Sequence, residues 1–278
     1  MGSLKDTIRK YSGELGKAGI DSPEKDVRRL VCSALELNAI DLINNLDRLL
    51  LKHELLKLDS LVDRRKKFEP ISKITNKKLF WDLEFFVNQE VLDPRPESEL
   101  LVEKIIEQTG KRRTVLELGT GSGCVAIVLA NVMKHIEVAG CDVSREALKV
   151  AKKNASKHDV HVNFFLSDWF SNVDRKYDII VSNPPYISEK EFLDLANDVK
   201  YFEPRLALLG GEDGLDCFRL IAKSISLYMN DGGLAFFEIG YGQANNILNI
   251  FSDAGFSIKN IWKDLTQKDR VLCVKKDA

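Results

Sequence analysis

Apolar residues recur at three- and four-residue spacing through the first part of the chain, then give way to short apolar runs separated by helical stretches. Val27, Leu30, Val31, Ala34 and Leu35 share one face; Leu46, Leu49 and Leu50 repeat the spacing, as do Leu55, Leu58, Leu61 and Val62. That period belongs to amphipathic helices packed on a common core. Asp21-Ser22-Pro23-Glu24 predicts a helix start, with short polar side chains just before a proline suited to the first turn. The expected unit is a small helical bundle. Glu69-Pro70 marks a break, and from Phe80 the period becomes two: Trp81, Leu83, Phe85 and Val87 alternate with Asp82, Glu84, Phe86 and Asn88, as in a strand. After Pro94-Arg95-Pro96 a helix is expected through Leu100, Leu101, Val102, Ile105 and Ile106. Apolar runs at Thr114–Leu118, Ile136–Cys141, Val162–Leu166, Asp178–Ser182 and Leu234–Ile239 then alternate with helical stretches such as Arg145–Lys157 and Ala244–Asp253. This rhythm predicts an α/β fold, a mostly parallel sheet with helices on both faces.

The 278 residues, 44% hydrophobic, suffice for one large domain or two modest ones, each with its own core. The 41 basic and 42 acidic residues leave a net charge of −1, which removes a whole-chain electrostatic argument for nucleic-acid or membrane binding. The balance hides an asymmetry. Residues 1–78 hold 17 Lys and Arg against 12 Asp and Glu, net +5, whereas 79–278 hold 24 against 30, net −6. No apolar run reaches the ~18–20 residues of a membrane span, and MGSLKDTIRK lacks the apolar stretch of a secretory signal, so a cytoplasmic protein is expected. Cys32, Cys124, Cys141, Cys217 and Cys273 are scattered, without a CxxC pair, and read as reduced thiols. His158 and His161 stand three apart, but no cysteine or carboxylate cluster completes a metal site, and none is expected.

The first strand of the alternating region runs into Glu117-Leu118-Gly119-Thr120-Gly121-Ser122-Gly123 and then the apolar helix from Cys124 to Asn131. Glycines at such a turn permit positive φ and close backbone approach to a ligand at the helix N-terminus. Asp142 closes the second strand about 20 residues on, where an acid can accept hydrogen bonds from both ribose hydroxyls. Asp168-Trp169 follows the third strand, where an acid and a flat apolar ring could border an adenine. The loop is spaced G-x-G-x-G, not as in dinucleotide sites, and Glu117 would repel a pyrophosphate. A cationic cofactor, S-adenosylmethionine, fits that bias.

The fourth strand, Tyr177–Ser182, leads into Asn183-Pro184-Pro185-Tyr186. The two prolines fix the chain. The Asn183 side-chain oxygen and the Pro184 carbonyl could each accept one hydrogen of a substrate NH2 group while Tyr186 packs on its flat face. An amide or aryl nitrogen is a poor nucleophile because its lone pair is delocalised. Two acceptors favour pyramidalisation and the positive charge that grows during methyl transfer, so they act on rate.

With these motifs the chain resembles the bacterial release-factor glutamine methyltransferases, the HemK/PrmC family of class I S-adenosylmethionine enzymes. The similarity spans about Glu69 to Lys275: PRPESELLV (94–102), ELGTGSG, SNPPYIS, FEPRLALLGGEDGLDCFRLI (202–221), FFEIGYGQ (236–243) and DLTQKDRVL (264–272). The resemblance implies a Rossmann-like sheet with helices on both faces in residues 94–278, a β-hairpin linker at 76–93, and a helical substrate-docking domain at 1–75. It implies methylation of the glutamine side-chain amide in the Gly-Gly-Gln segment of peptide chain release factors, with an indirect ribosomal context and no direct DNA or membrane partner. Carried across, it sets Gly119 to Gly123 around the methionine part of the cofactor, Asp142 on its ribose, Trp169 beside adenine and Asn183 to Tyr186 around the target glutamine. Arg95 and Glu97 would lie near the site entrance, supporting the substrate loop or the fold.

The Asn-Pro-Pro-Tyr motif is shared with adenine-N6 methyltransferases of nucleic acid. That reading expects a basic groove, whereas the strand-rich half carries −6. A non-catalytic module keeping the fold would not require all of Gly119, Gly121, Gly123, Asp142 and Asn183. Arg64-Arg65-Lys66-Lys67 reads as a solvated helix end. Gly210-Gly211-Glu212-Asp213-Gly214 reads as a turn before a helix over Leu215–Leu227, its two acids opposing a phosphate loop. Trp81 and Phe85 are expected in the hairpin core.

Overall fold

The computed structural model describes residues 2–276. It divides into two compact units, one formed by the chain up to Lys77 together with Asn197–Phe202, the other by Lys78–Ala196 and the chain from Glu203 onward.

The first unit contains α1 (Leu4–Lys17), α2 (Pro23–Leu35), α3 (Ala39–Asn44), α4 (Lys52–Lys66) and α5 (Ile71–Thr75). Leu4, Ile8, Tyr11 and Leu15 of α1 meet Val27, Leu30 and Val31 of α2 and Leu58 and Val62 of α4 in one core, as the spacing requires. Pro23 occupies the first turn of α2, but the Ser22 side chain makes no capping bond. Residues 46–50 are not helical. The carbonyls of Leu46 and Arg48 instead accept the free amides of Lys5 and Leu4 at 2.9 and 2.8 Å, satisfying the open N-terminus of α1. The basic run at the end of α4 is also not simply solvated: Arg64 pairs with Glu69 (2.5 Å), Arg65 with Asp26 (2.8 Å) and Lys66 with Glu14 (2.6 Å), tying α4 to α2 and α1.

The second unit opens with a two-stranded sheet of β1 (Lys77–Phe80) and β2 (Leu83–Phe86). Phe85 is buried, but Trp81 sits at the turn with φ +58° and is partly exposed, because the residue that reverses the chain cannot also face the core. There follow α6 (Glu97–Gln108), β3 (Thr114–Leu118), α7 (Cys124–Val132), β4 (Glu137–Asp142), α8 (Arg145–Lys157), β5 (Asn163–Leu166), β6 (Tyr177–Ser182), α9 (Glu189–Leu193), α10 (Asn197–Phe202, which groups with the first unit), α11 (Asp216–Ser224), β7 (Met229–Glu238), α12 (Ala244–Asp253), β8 (Phe256–Lys263) and β9 (Asp269–Lys276). A 3-10 turn over Ile225–Tyr228 ends the helical run after α11.

The seven strands lie in the order β5-β4-β3-β6-β7-β9-β8. The first five in this order pair in parallel; β7–β9 and β9–β8 are antiparallel, an edge that the apolar rhythm did not announce. Alternate residues of each central strand enter two separate cores, Val115, Val181 and Phe236 on one face and Leu116, Ile180 and Phe237 on the other. Burial on both faces explains why these strands are almost continuously apolar. Among the described residues no helix is long and apolar enough to cross a membrane.

Candidate active site

The chain runs from β3 outward to β4 and β5, then returns to place β6 on the other side of β3. This reversal opens a crevice at the carboxyl ends of the strands, where open α/β sheets bind ligands. The register brings the ends level: Leu118 lies opposite Cys141 and Ser182, Asp142 opposite Leu166, and Ser182 opposite Phe237. The glycine loop, Asp142, Asp168-Trp169 and Asn183 all leave the sheet at this edge.

In the loop after β3, Gly119, Gly121 and Gly123 have φ of +68°, +54° and +79°. A Cβ added to Gly119 or Gly121 would meet nothing within 4 Å, so the first two glycines leave bare backbone facing open space. A Cβ on Gly123 would stand 3.1 Å from Ala151, Ile127 and Phe164, so the third glycine serves the packing of the helix behind the loop. Thr120 and Ser122 are buried and turn the loop: the Thr120 amide donates to the Cys141 carbonyl at 2.9 Å, and the Ser122 carbonyl accepts from Asn154 Nδ2 at 2.9 Å. Glu117 lies beneath. Its Oε2 accepts from the Thr120 hydroxyl and, at 3.2 Å, from the Ala126 amide in the first turn of α7. Burial pushes its carboxyl up to about 8, so near neutral pH it is mostly uncharged and shapes the loop from within the fold.

Asp142 holds the loop from the side. Oδ2 accepts from the Gly121 amide and Oδ1 from the Ser144 amide, both at 2.8 Å. Burial raises its pKa against these bonds. The Asp168 amide donates to Ser171 Oγ at 3.0 Å, and Trp169, at φ +46°, packs partly buried on the apolar core while its carbonyl accepts from Ser167 Oγ at 2.8 Å.

Pro184 is buried, and Asn183, Pro185 and Tyr186 are half-buried. The turn they form is buttressed by glycines of the two later motifs. The Ile187 amide donates to the Leu208 carbonyl and the Gly210 amide returns to the Ile187 carbonyl, both at 2.9 Å. Gln243 Nε2 donates to the Tyr186 carbonyl at 2.9 Å, and a Cβ on Gly240 would stand 3.0 Å from the Tyr186 ring. The Gly210–Gly214 segment is therefore a turn, as expected, but one moulded against the Asn-Pro-Pro-Tyr backbone. Burial and the nearby Glu238 carboxylate raise the Tyr186 phenol pKa, keeping it neutral.

Residues 87–199 match the family described as methyltransferase small domain, and residues 6–75 match the PrmC N-terminal domain. The release factor glutamine methyltransferase of Geobacter sulfurreducens is 38% identical over 271 residues, covering 96% of this chain and 95% of that protein. The chain belongs to the release factor glutamine methyltransferase family. The family enzyme of Buchnera aphidicola is 39% identical over 270 residues, with 96% of both chains covered. A bifunctional methyltransferase of Rickettsia typhi is 35% identical over 293 residues; 97% of this chain matches, and it spans 57% of that longer protein. A crystal structure of a methyltransferase from Pyrococcus furiosus shares the fold, with a TM-score of 0.56 and 19% identity over 79% of this chain and 98% of that one.

The family motifs also bring two residues to the site that were not singled out from the sequence. Ser98, in the first turn of α6, and Glu238, the last residue of β7, are both buried. Ser98 Oγ donates to Glu238 Oε2 at 2.5 Å, and Asn183 Nδ2 donates to Ser98 Oγ at 3.2 Å. The only signal in the sequence was their occurrence inside PRPES and FFEIG. Arg95 pairs with the buried Glu203 at 2.9 Å, and the second Glu203 oxygen accepts from the Asp93 amide at 3.2 Å, so Arg95 braces the segment leading into α6. His158 Nε2 lies 3.0 Å from the Glu84 carbonyl and its ring packs on Phe85.

Proposed function

We propose that this enzyme transfers a methyl group from S-adenosylmethionine to the side-chain amide nitrogen of the Gly-Gly-Gln glutamine in peptide chain release factors, in the cytoplasm. The observation that carries the reading is the placing of Asn183-Pro184 at the end of β6, next in the sheet to the bare-glycine loop that ends β3. The open backbone of Gly119 and Gly121 suits close approach of the methionine part of the cofactor. Each Asp142 oxygen already accepts one amide and keeps a lone pair for a ribose hydroxyl. Trp169 and Asp168 border the adenine. When bound, S-adenosylmethionine supplies an electrophilic methyl group on a sulfonium.

Asn183 Oδ1 and the Pro184 carbonyl each accept one N–H of the glutamine amide and orient its nitrogen. Both bonds strengthen as positive charge grows on that nitrogen, so they lower the barrier. The proton becomes acidic only as the nitrogen turns cationic, so no general base is needed before attack. Tyr186, neutral and packed on its buttress, lines the flat face of the amide. The basic helical unit docks the release factor, which is also the enzyme's link to the ribosome.

Incubation of the enzyme and S-adenosylmethionine with a release factor, followed by peptide mass spectrometry, should show a 14 Da gain on the glutamine. DNA and RNA in parallel incubations should gain nothing. Methyl transfer to adenine with an unmodified release factor would replace this reading.

A further inference from the structure

Asn183 can serve as a hydrogen-bond acceptor only if its amide is turned the right way. The two ends of that amide differ little in size, so packing alone selects between them weakly. The polar groups behind it select strongly. An ionised carboxylate only accepts hydrogen bonds. Ser98 Oγ, 2.5 Å from Glu238 Oε2, must therefore turn its single proton toward Glu238. What remains on the hydroxyl are lone pairs, and these face Asn183 at 3.2 Å. An amide rotated by half a turn would set its oxygen against the lone pairs of Ser98, beside two buried side chains, Ser98 and Glu238, where such a clash is poorly relieved by water.

We infer that Ser98 and Glu238 are positioning residues that lock the Asn183 amide, holding its NH2 group inward so that its oxygen is presented to the substrate N–H. The inference rests on the proposed reaction and adds residues to it that touch neither the reacting atoms nor the cofactor. It also explains why a carboxyl is buried at the end of β7, where an apolar residue would continue the pattern of Leu234 and Phe236. The groups that act on Glu238 are Ser98 and Glu97 from α6, Asn183 and Tyr186 beyond β6, Cys124 at the start of α7 and Arg270 of β9. Burial raises its pKa to about 7, against the Ser98 bond and the field of Arg270. Once protonated, Glu238 can donate to Ser98, which frees that hydroxyl to donate to a rotated Asn183 oxygen. The lock therefore weakens as pH falls.

The test compares Ser98→Ala, Ser98→Thr and Glu238→Gln with the wild type in methylation of intact release factor. Ser98→Ala should lower kcat about tenfold or more, while S-adenosylmethionine affinity by calorimetry stays within about twofold. Ser98→Thr, which restores a hydroxyl, should recover most of the loss. Wild-type kcat should rise with pH through about 7, and Glu238→Gln should be slower and lack that rise. In a second measurement, independent of activity, the side-chain NH2 signals of Asn183 are followed by NMR with 15N-labelled asparagine, assigned by their loss in Asn183→Ala. Their exchange with water should be slow in the wild type and fast in Ser98→Ala. A folded Ser98→Ala with unchanged kcat, a Ser98→Thr no better than alanine, or equal exchange in both proteins overturns the lock. Failure of the wild type to methylate the release factor overturns the substrate reading alone, and the exchange measurement still decides the lock.

Discussion

The α-carbon of Gly210 packs directly on the main chain of Pro185: a Cβ at Gly210 would stand 2.6 Å from the Pro185 carbonyl oxygen and 2.7 Å from that of Gly214. Both obstacles are backbone, so neither can swing aside. Gly210→Ala should push the Asn-Pro-Pro-Tyr turn outward, lowering stability by about 1–3 kcal/mol, the usual range for overpacking, and reducing kcat. Affinity for S-adenosylmethionine should be nearly unchanged, since the glycine loop lies at the end of another strand. Urea unfolding, steady-state kinetics and calorimetry on one preparation check the three parts. An unaltered kcat in a folded variant removes the buttressing role.

Asp142→Ala should weaken S-adenosylmethionine binding by about 1.5–3 kcal/mol, the range for hydrogen bonds to a charged group. The structure adds a sharper expectation for Asp142→Asn. An asparagine has one acceptor oxygen, so its NH2 must face the amide of Gly121 or Ser144, each of which donates to Asp142 at 2.8 Å. It should therefore bind little better than alanine. Calorimetry showing wild-type affinity in either folded variant would take Asp142 out of the cofactor site.

Glu117 makes stability depend on pH. Its folded pKa of about 8 lies above the unfolded value of about 4.5. Between these limits the unfolded chain releases a proton that the folded chain keeps, so the contribution of Glu117 to stability is fully present below pH ~4.5 and declines until about pH 8. The penalty amounts to a few kcal/mol at most. Glu238 acts with the same sign. Glu117→Gln, with no proton to lose, should show a shallower decline than the wild type in urea unfolding at pH 5, 6, 7 and 8. Parallel curves would mean that the carboxyl is not held neutral.

Asn183→Ala should leave cofactor affinity intact and reduce kcat by about 10²–10³, the effect of deleting one preorganised group at developing charge. Asn183→Asp keeps an acceptor but loses the donor used by Ser98, and it sets a second carboxyl beside Glu238. It should be no more active than alanine. Single-turnover kinetics at saturating substrates decide both, and a chemical step unaffected by Asn183→Ala would make the motif a structural turn.

Much of this site was legible because each element is local. Glycines, an acid about 20 residues on, and a proline-fixed turn each follow an apolar run, and a parallel sheet necessarily aligns the ends of those runs. Ser98 and Glu238 were not legible in the same way. They meet across 140 residues, and Ser98 meets Asn183 across 85, so no spacing records the contacts. Nor does composition distinguish Glu238 from the many surface acids. The antiparallel edge escaped for a different reason: most of β8 is exposed, so its pattern is mixed and lacks the continuous apolar run of the central strands. Leu46, Leu49 and Leu50 have helical spacing, but the carbonyls of this segment are needed to cap α1, and tertiary demand overrode the local pattern.

Arg64, Arg65 and Lys66 are matched by Glu69, Asp26 and Glu14, so the +5 surplus of residues 1–78 resides in other side chains. A charge already matched at hydrogen-bond distance projects little field beyond a Debye length, about 8–10 Å at ordinary ionic strength. The Arg64–Lys66 run thus adds little local attraction for an anionic surface, while the net surplus of residues 1–78, in which the pairing acids are already subtracted, is untouched. Electrostatic steering of a partner is therefore carried by basic residues outside this run, and removing those, not Arg64, Arg65 or Lys66, will lessen the effect of added salt on encounter.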